Sequence, residues 1–186
     1  LIHDGYKPEL EERIAQINVA TSIDEVDITP DVVIIATKAF SLSSVMNSIK
    51  NRYSDSERSK MTFVCLQNGF GNEQYVSNAL HTNALRVAVN YVGSVKSPGV
   101  VAGHWLRKPN CMGATHPEQR NNLAYVARLF NDSGLTTTAV PDIRPATFLK
   151  TVLNAAMSPV ATAKKMTMGE VMADPRLSEL VMATVE

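Results

Sequence analysis

Apolar residues in this chain fall into short β-branched runs that end in polar residues and glycine, and later into longer stretches of helical period. Val32 to Ala36 is the first such run; it has the pattern of a parallel strand covered on both faces. Thr37, Lys38 and Ala39 follow at its carboxyl end, and Ser41 is placed to cap a helix running to about Arg52. Thr62 to Leu66 reads as a second strand. It runs into Asn68-Gly69-Phe70-Gly71, where Asn-Gly supplies a tight turn and the glycines let the backbone approach a ligand closely. Asn72 is placed to cap a helix to about Leu80, whose first amides suit an anion. Ala84 to Val92 and Gly99 to Leu106 read as strands, Arg107 to Asn110 as a turn, and Cys111 to Ala114 as a third strand. Together they suggest an antiparallel extension of a parallel sheet. Pro117 opens a helix whose apolar positions Leu123, Val126, Ala127 and Phe130 repeat at helical spacing, and Gly134 closes it. Thr136 to Val140 is the last strand. Pro141-Asp142 marks a boundary, with Asp142 able to cap the next turn, and from about residue 143 the chain is helical, with a further helix starting near Pro175. Ahead of the first run, Pro8 to Ile17 predicts a helix and Asn18 to Ala20 a short strand.

Composition narrows the function classes. The 186 residues are 45% hydrophobic and 19% charged, enough for a soluble core. Eighteen basic side chains balance 18 acidic ones, which removes any electrostatic case for nucleic acid or an anionic membrane. The longest apolar run falls far below the roughly 18 residues a membrane span needs. Cys65 and Cys111 lack Cys-x-x-Cys spacing, the usage of reduced thiols in a cytoplasmic protein. His3, His81, His104 and His116 are scattered, so no metal site is expected. Met166, Met168, Met172 and Met182 read as core filler or as an oligomer face.

The candidate chemistry lies at the strand ends and in the segment from Phe148 to Pro159. Lys150, Asn154 and Ser158 recur at i, i+4 and i+8 and so share one stripe of a helix. Phe148, Val152, Ala155 and Ala156 suggest that the rest of that helix is packed into protein. A lysine and an amide there are costly unless they meet a ligand or a partner, and a buried lysine loses proton affinity and becomes a usable acid. The plain alternatives are a solvated helix edge for Lys150 and Asn154, a surface lysine for Lys38, and an ordinary turn for Asn68-Gly69. In doubly wound sheets, however, ligands bind at the carboxyl ends of the strands, where Lys38 and Asn68 fall. Asn90 and Tyr91 alternate across a strand, so one of them can face the cleft; His104 beside Trp105 reads as a structural cross-hairpin pair.

As an ordered set these segments resemble the ketopantoate reductase (2-dehydropantoate 2-reductase) family. The resemblance rests on Thr37-Lys38-Ala39-Phe40, Asn68-Gly69-Phe70-Gly71, Pro98-Gly99 with His104, the run from Phe148 to Pro159, and Gly169-Glu170, in matching order from about Asp31 to Glu186. Two positions depart from the family pattern: Phe148 stands where the family helix usually opens with Trp, and Ser158 replaces its second asparagine. The resemblance implies an α/β fold, a Rossmann-like dinucleotide-binding sheet over residues 1–141 followed by the start of an all-helical substrate and dimerisation domain over 142–186. It implies NADPH-dependent reduction of 2-dehydropantoate to pantoate, in pantothenate biosynthesis. Lys150 would be catalytic, Asn154, Ser158 and Asn68 would bind substrate, and Lys38, Asn68 and Gly69 would bind the cofactor. It further implies a homodimer through the helical domain. The sequence opens on Leu1 and has no Gly-x-Gly-x-x-Gly, so an internal fragment is expected. The glycine loop would precede it and a carboxylate assisting Lys150 would follow it. A related 2-oxo acid or imine reductase, or a non-catalytic dinucleotide-binding regulator, would share these features.

Overall fold

A computed structural model describes residues 16–98, 100–105, 109–114, 120 and 122–185. The β-branched runs form a parallel core. Strands β1 (Val32–Ile35), β2 (Thr62–Cys65) and β3 (Ala84–Ala88) pair in parallel, with Ile35 opposite Cys65 and Cys65 opposite Arg86. The sheet is completed after a two-stranded hairpin, β4 (Tyr91–Ser97) with β5 (Val100–Trp105), that stands apart from it. Strand β6 (Asn110–Gly113) runs antiparallel to β3, and β7 (Thr137–Ala139) lies parallel to β6, giving the order β1-β2-β3-β6-β7.

Alternation along the strands builds two hydrophobic layers. Phe63, Cys65 and Ala84 face α1 (Leu42–Arg52) and α3 (Asn72–Leu80), packing with Met46, Ile49, Val76 and Leu80. Val64, Leu85, Val87 and Met112 face the opposite way, onto Val126 and Phe130 of α4 (Leu123–Asp132). Between α1 and β2, the one-turn helix α2 (Asp55–Arg58) is fixed by a capping box of Ser54 and Glu57. After β7 the chain is helical. Helices α5 (Arg144–Lys164), α6 (Met168–Ala173) and α7 (Pro175–Val185) close around Ala156, Val171 and Val181. Asp142, one residue ahead of the N-cap Ile143, accepts the backbone N–H of Arg144 at 2.9 Å, the capping contact expected of it. Thr167 and Glu170 form the capping box that starts α6.

Several local expectations are corrected. Residues 18–20 form no strand and are exposed. Among the described residues β1 pairs with β2 alone and Ile34 is 51% exposed, so the cover expected on both its faces is not found among them. Ser41 ends a short 3-10 turn and makes no side-chain cap. The N-cap of α3 is Gly71, in a left-handed conformation (φ 79°), in place of Asn72. The strand expected over residues 84–92 breaks at Val89 and Asn90. There the Asn90 amide donates to the Pro109 carbonyl at 2.9 Å, and its backbone N–H donates to the Asn110 side chain at 2.8 Å. Asn90 is thus a structural brace. Tyr91 and His104 lie opposite Trp105 and Val92 in the hairpin. The helix expected from Pro8 lies outside the described residues except for its exposed, non-helical end, and the helix start at Pro117, the turn at Arg107-Lys108 and Gly99 lie outside them as well.

Candidate active site

The carboxyl ends of β1, β2 and β3 share one end of the sheet, and α5 crosses the tip of β3. The Lys150 ammonium donates a hydrogen bond to the Val89 carbonyl, just past the end of β3. Lys150 is half-buried, and so are Asn154 and Ser158 on the same stripe. At 1.5 Å per residue these lie about 6 and 12 Å further along the helix. Thr147 and Ala156 are the buried residues of α5. Phe148 and Ala155, expected to be packed, are exposed, so the apolar character of this helix is only partly spent on the fold.

The turn after β2 meets the same place from the other side. Gly69 (φ 96°) and Gly71 (φ 79°) both take left-handed conformations that side chains resist. Between them Phe70 projects outward, 55% exposed, and meets the exposed Phe148 ring edge-on at 6.4 Å between centroids. The Asn72 amide donates to the Asn68 backbone carbonyl at 3.0 Å, and Asn68 is exposed at the sheet tip. A Cβ at Gly69 would meet nothing closer than 3.9 Å, so the turn leaves its surroundings open.

Beneath this turn lies a charged pair that sequence reasoning missed. Arg86, 2% exposed in the middle of β3, donates to the Cys65 carbonyl at 3.4 Å and to the Gly69 carbonyl at 3.2 Å. It also stands 3.9 Å from the Glu73 carboxylate in the first turn of α3. The one available signal is an arginine inside the apolar run Ala-Leu-Arg-Val-Ala. Gln67, just ahead of the turn, is buried, and among the described residues neither atom of its amide has a hydrogen-bond partner.

The electrostatics single out Lys150. Burial, and then the nearby Arg86 guanidinium, push its amine down to about 8 from the ordinary lysine value. Burial pushes the Cys65 thiol up to about 12, so it has no role as a thiolate. Among the described residues no cluster of His, Cys, Asp and Glu could hold a metal.

Lys38 lies at the tip of β1, two strands from β3, or about 10 Å at normal strand spacing. It is exposed, and its carbonyl accepts the Ser41 N–H at 2.9 Å. The structure therefore brings Asn68, Gly69 and Lys150 to one place, with Asn154 and Ser158 leading away from it. Lys38 stays apart on the same rim.

The fold is α/β, a Rossmann-like sheet followed by helices. It is shared with a 2-dehydropantoate 2-reductase structure from Geobacter metallireducens (TM-score 0.67, 20% identical, 81% of this chain and 49% of that one). It is shared too with D-mandelate dehydrogenase bound to NADH and anilino(oxo)acetate (TM-score 0.69, 19% identical, 85% and 50%). The family model of ketopantoate reductase PanE/ApbA matches residues 3–110. The chain belongs to the ketopantoate reductase family, whose members are NAD(P)H-dependent oxidoreductases. It is 31% identical over 133 residues to the 2-dehydropantoate 2-reductase of Pyrococcus horikoshii, covering 70% of this chain and 41% of that protein. Against the enzyme of the same name from Archaeoglobus fulgidus it is 26% identical over 158 residues, covering 84% and 50%. The chain thus spans half or less of the length of these relatives.

Proposed function

We propose that this chain forms the sheet-to-helix junction of an NADPH-dependent reductase that converts 2-dehydropantoate to pantoate. The observation that carries the reading is Lys150, an acidified ammonium held at the sheet tip beside the Asn68–Gly71 turn. The residues at this rim fit a nicotinamide dinucleotide. Two left-handed glycines open the backbone there, Gly69 has free space around it, and the Asn68 amide and Lys38 ammonium are exposed on the same rim. Asn68, Gly69 and Lys38 would hold that cofactor, and when bound it supplies the hydride.

The protein's part is to hold the oxo acid and move one proton. Reduction of the carbonyl carbon places negative charge on its oxygen, and a fixed positive charge there stabilises the developing alkoxide. Lys150 has three donors and gives one to Val89, which leaves two for the substrate oxygen. An amine near 8 gives up its proton far more readily near neutrality than an ordinary lysine does. Asn154 and Ser158, further along the half-buried stripe, would orient the carboxylate and hydroxyl groups of the substrate, and Asn68 would hold it from the turn. Leu149, Leu153, Leu180 and Met182 are large exposed apolar residues of α5 and α7, which supports a homodimer through the helical part. No described helix is long and apolar enough to cross a membrane, and Cys65 and Cys111 are free thiols, in keeping with a cytoplasmic enzyme.

The test uses the intact protein. Loss of reduced-nicotinamide absorbance is followed with NADPH and NADH against 2-dehydropantoate, pyruvate and phenylglyoxylate. Fastest turnover with 2-dehydropantoate and NADPH is expected. Ser158 has a shorter reach than asparagine and favours one specific second reading, a reductase of another 2-oxo acid, which a higher kcat/KM for either other acid would establish. Binding of the dinucleotide with no turnover of any substrate would make the protein a regulator.

A further inference from the structure

We propose that Arg86 is a positioning residue of this site, a buried strut that fixes the Asn68–Gly71 turn from beneath and sets a second positive charge behind Lys150. The inference rests on the reductase reading above.

A guanidinium with 2% exposure inside a strand is costly unless its donors and charge are met, and apolar neighbours on β3 show that the layer could have been completed without it. What Arg86 meets is one loop, taken at three points. It hydrogen-bonds the Cys65 carbonyl where β2 ends and the Gly69 carbonyl inside the turn, and its Nε, which has no hydrogen-bond partner among the described residues, faces the Glu73 charge at 3.9 Å where α3 begins. Beyond this pair, no buried charged side chain among the described residues bonds to this loop. Its N-cap, Gly71, offers no side chain, and among the described residues the amide of Gln67 finds no partner. Among the described residues the loop's other ties include the Asn72 bond to the Asn68 carbonyl, the Tyr75 N–H on the Gly71 carbonyl at 2.9 Å and the Phe70–Phe148 ring contact.

The same strand serves the other half of the site, since Val89, three residues beyond Arg86, accepts the Lys150 hydrogen bond. β3 thus sets the Asn68 turn and the Lys150 amine relative to each other. Among the described residues the charge that acts on Lys150 is Arg86 from β3, which is itself paired with Glu73 from α3. On α5 itself Arg144 is neutralised by Asp142 at 2.7 Å. Burial and the Arg86 charge both lower the proton affinity of the amine.

The experiment compares Arg86→Lys with the double variant Arg86→Met/Glu73→Gln in the intact protein, both checked for folding by circular dichroism. The pH at which Lys150 reacts with an amine-directed label, read by mass spectrometry of its peptide, reports the charge without needing turnover. It should rise in the double variant and stay near wild type in Arg86→Lys. Both variants should raise KM about tenfold, because neither holds the turn at three points. A labelling pH and KM unchanged in folded variants would reduce Arg86 to packing and overturn the proposal. If the double variant does not fold, the KM of Arg86→Lys decides it. A wild-type protein that turns over no oxo acid would sink the reductase reading instead, and the labelling pH would still judge the charge behind Lys150.

Discussion

At the tip of β1, Thr37, Lys38, Ala39 and Phe40 are all exposed, and the side chain of Lys38 makes no hydrogen bond or ion pair with any described residue. At the tips of β2 and β3 the opposite holds. Arg86 and Glu73 are buried, the turn glycines are locked in left-handed conformations, and the Lys150 amine is tied to Val89 with its proton affinity lowered. Both regions read alike in the sequence, as a strand that ends in a polar signature. They differ in what surrounds the charge. An exposed ammonium works through a high dielectric and contributes little alone. A half-buried one has already lost part of its hydration, so a carbonyl oxygen beside it feels more of its field. The β2–β3 region can thus carry a chemical step, whereas the β1 tip can only add a contact to something held elsewhere.

The most severe test of that contrast is Lys150→Ala. Turnover should fall by about a hundredfold to ten-thousandfold, the usual worth of a positioned general acid, while cofactor affinity measured by fluorescence titration stays nearly as it was. An unchanged rate would remove Lys150 from the chemistry and erase the contrast with Lys38.

The pH profile sharpens the same point. Reduction needs Lys150 as the ammonium, and its value of about 8 lies below the ordinary lysine value. The charged form is complete well below that pH and is lost as pH rises through it. The rate of 2-oxo acid reduction at saturating cofactor should therefore drop on the alkaline side with a midpoint near 8, falling by about a hundredfold two pH units above it. A midpoint near that of an ordinary lysine would mean that the amine is not desolvated by α5 and the sheet.

Lys38→Ala should do much less. Loss of one exposed charge is worth up to about 1 kcal/mol, or about fivefold in affinity. It should appear as a higher KM for the cofactor with kcat unchanged, and should shrink as salt is added. A fall in kcat comparable to that of Lys150→Ala would show that the β1 tip takes part in the reaction and that its exposure misleads.

The sequence made parts of this arrangement legible and hid others, for physical reasons. The cores of β1 and β2, α1, and the helical run after Asp142 follow from local pattern, because β-branched runs and helical apolar spacing are short-range signals. The exposure of Ile34 among the described residues was not legible, since Val-Val-Ile-Ile states that a strand is apolar and says nothing of which neighbours cover it. The capping of α3 was misread because a left-handed Gly71 takes the N-cap and frees the Asn72 amide to fold back onto Asn68. The break after Ala88 depends on Asn90 reaching Pro109 and Asn110, 19 and 20 residues away. Of the site, the residue types on α5 and the Asn-Gly turn were visible. The Arg86–Glu73 pair beneath them was not, for it joins two elements that only the folded sheet brings side by side.

The smallest expected effect concerns the Phe70–Phe148 contact, which links the turn to α5 beside the Lys150–Val89 bond. Edge-to-face rings add about 0.5–1.5 kcal/mol beyond area burial, and both rings here are more than half exposed, which favours the lower end. A double-mutant cycle with Phe70→Leu and Phe148→Leu, read by urea denaturation of the intact protein, should therefore give a coupling of about 0.5 kcal/mol. Leucine keeps apolar volume at both positions, so the cycle isolates the ring geometry from simple loss of contact. A measurable coupling makes the β2–α3 turn and α5 a single held unit, joined by apolar contact, while Lys150 ties α5 to the end of β3. Among the described residues the β1 tip has no such second tie. A coupling of zero would leave the Lys150–Val89 bond as the tie across the cleft, and Lys150→Met, which keeps the stem and removes that bond, should then loosen the turn as well, seen as faster amide exchange at Phe70 and Gly71.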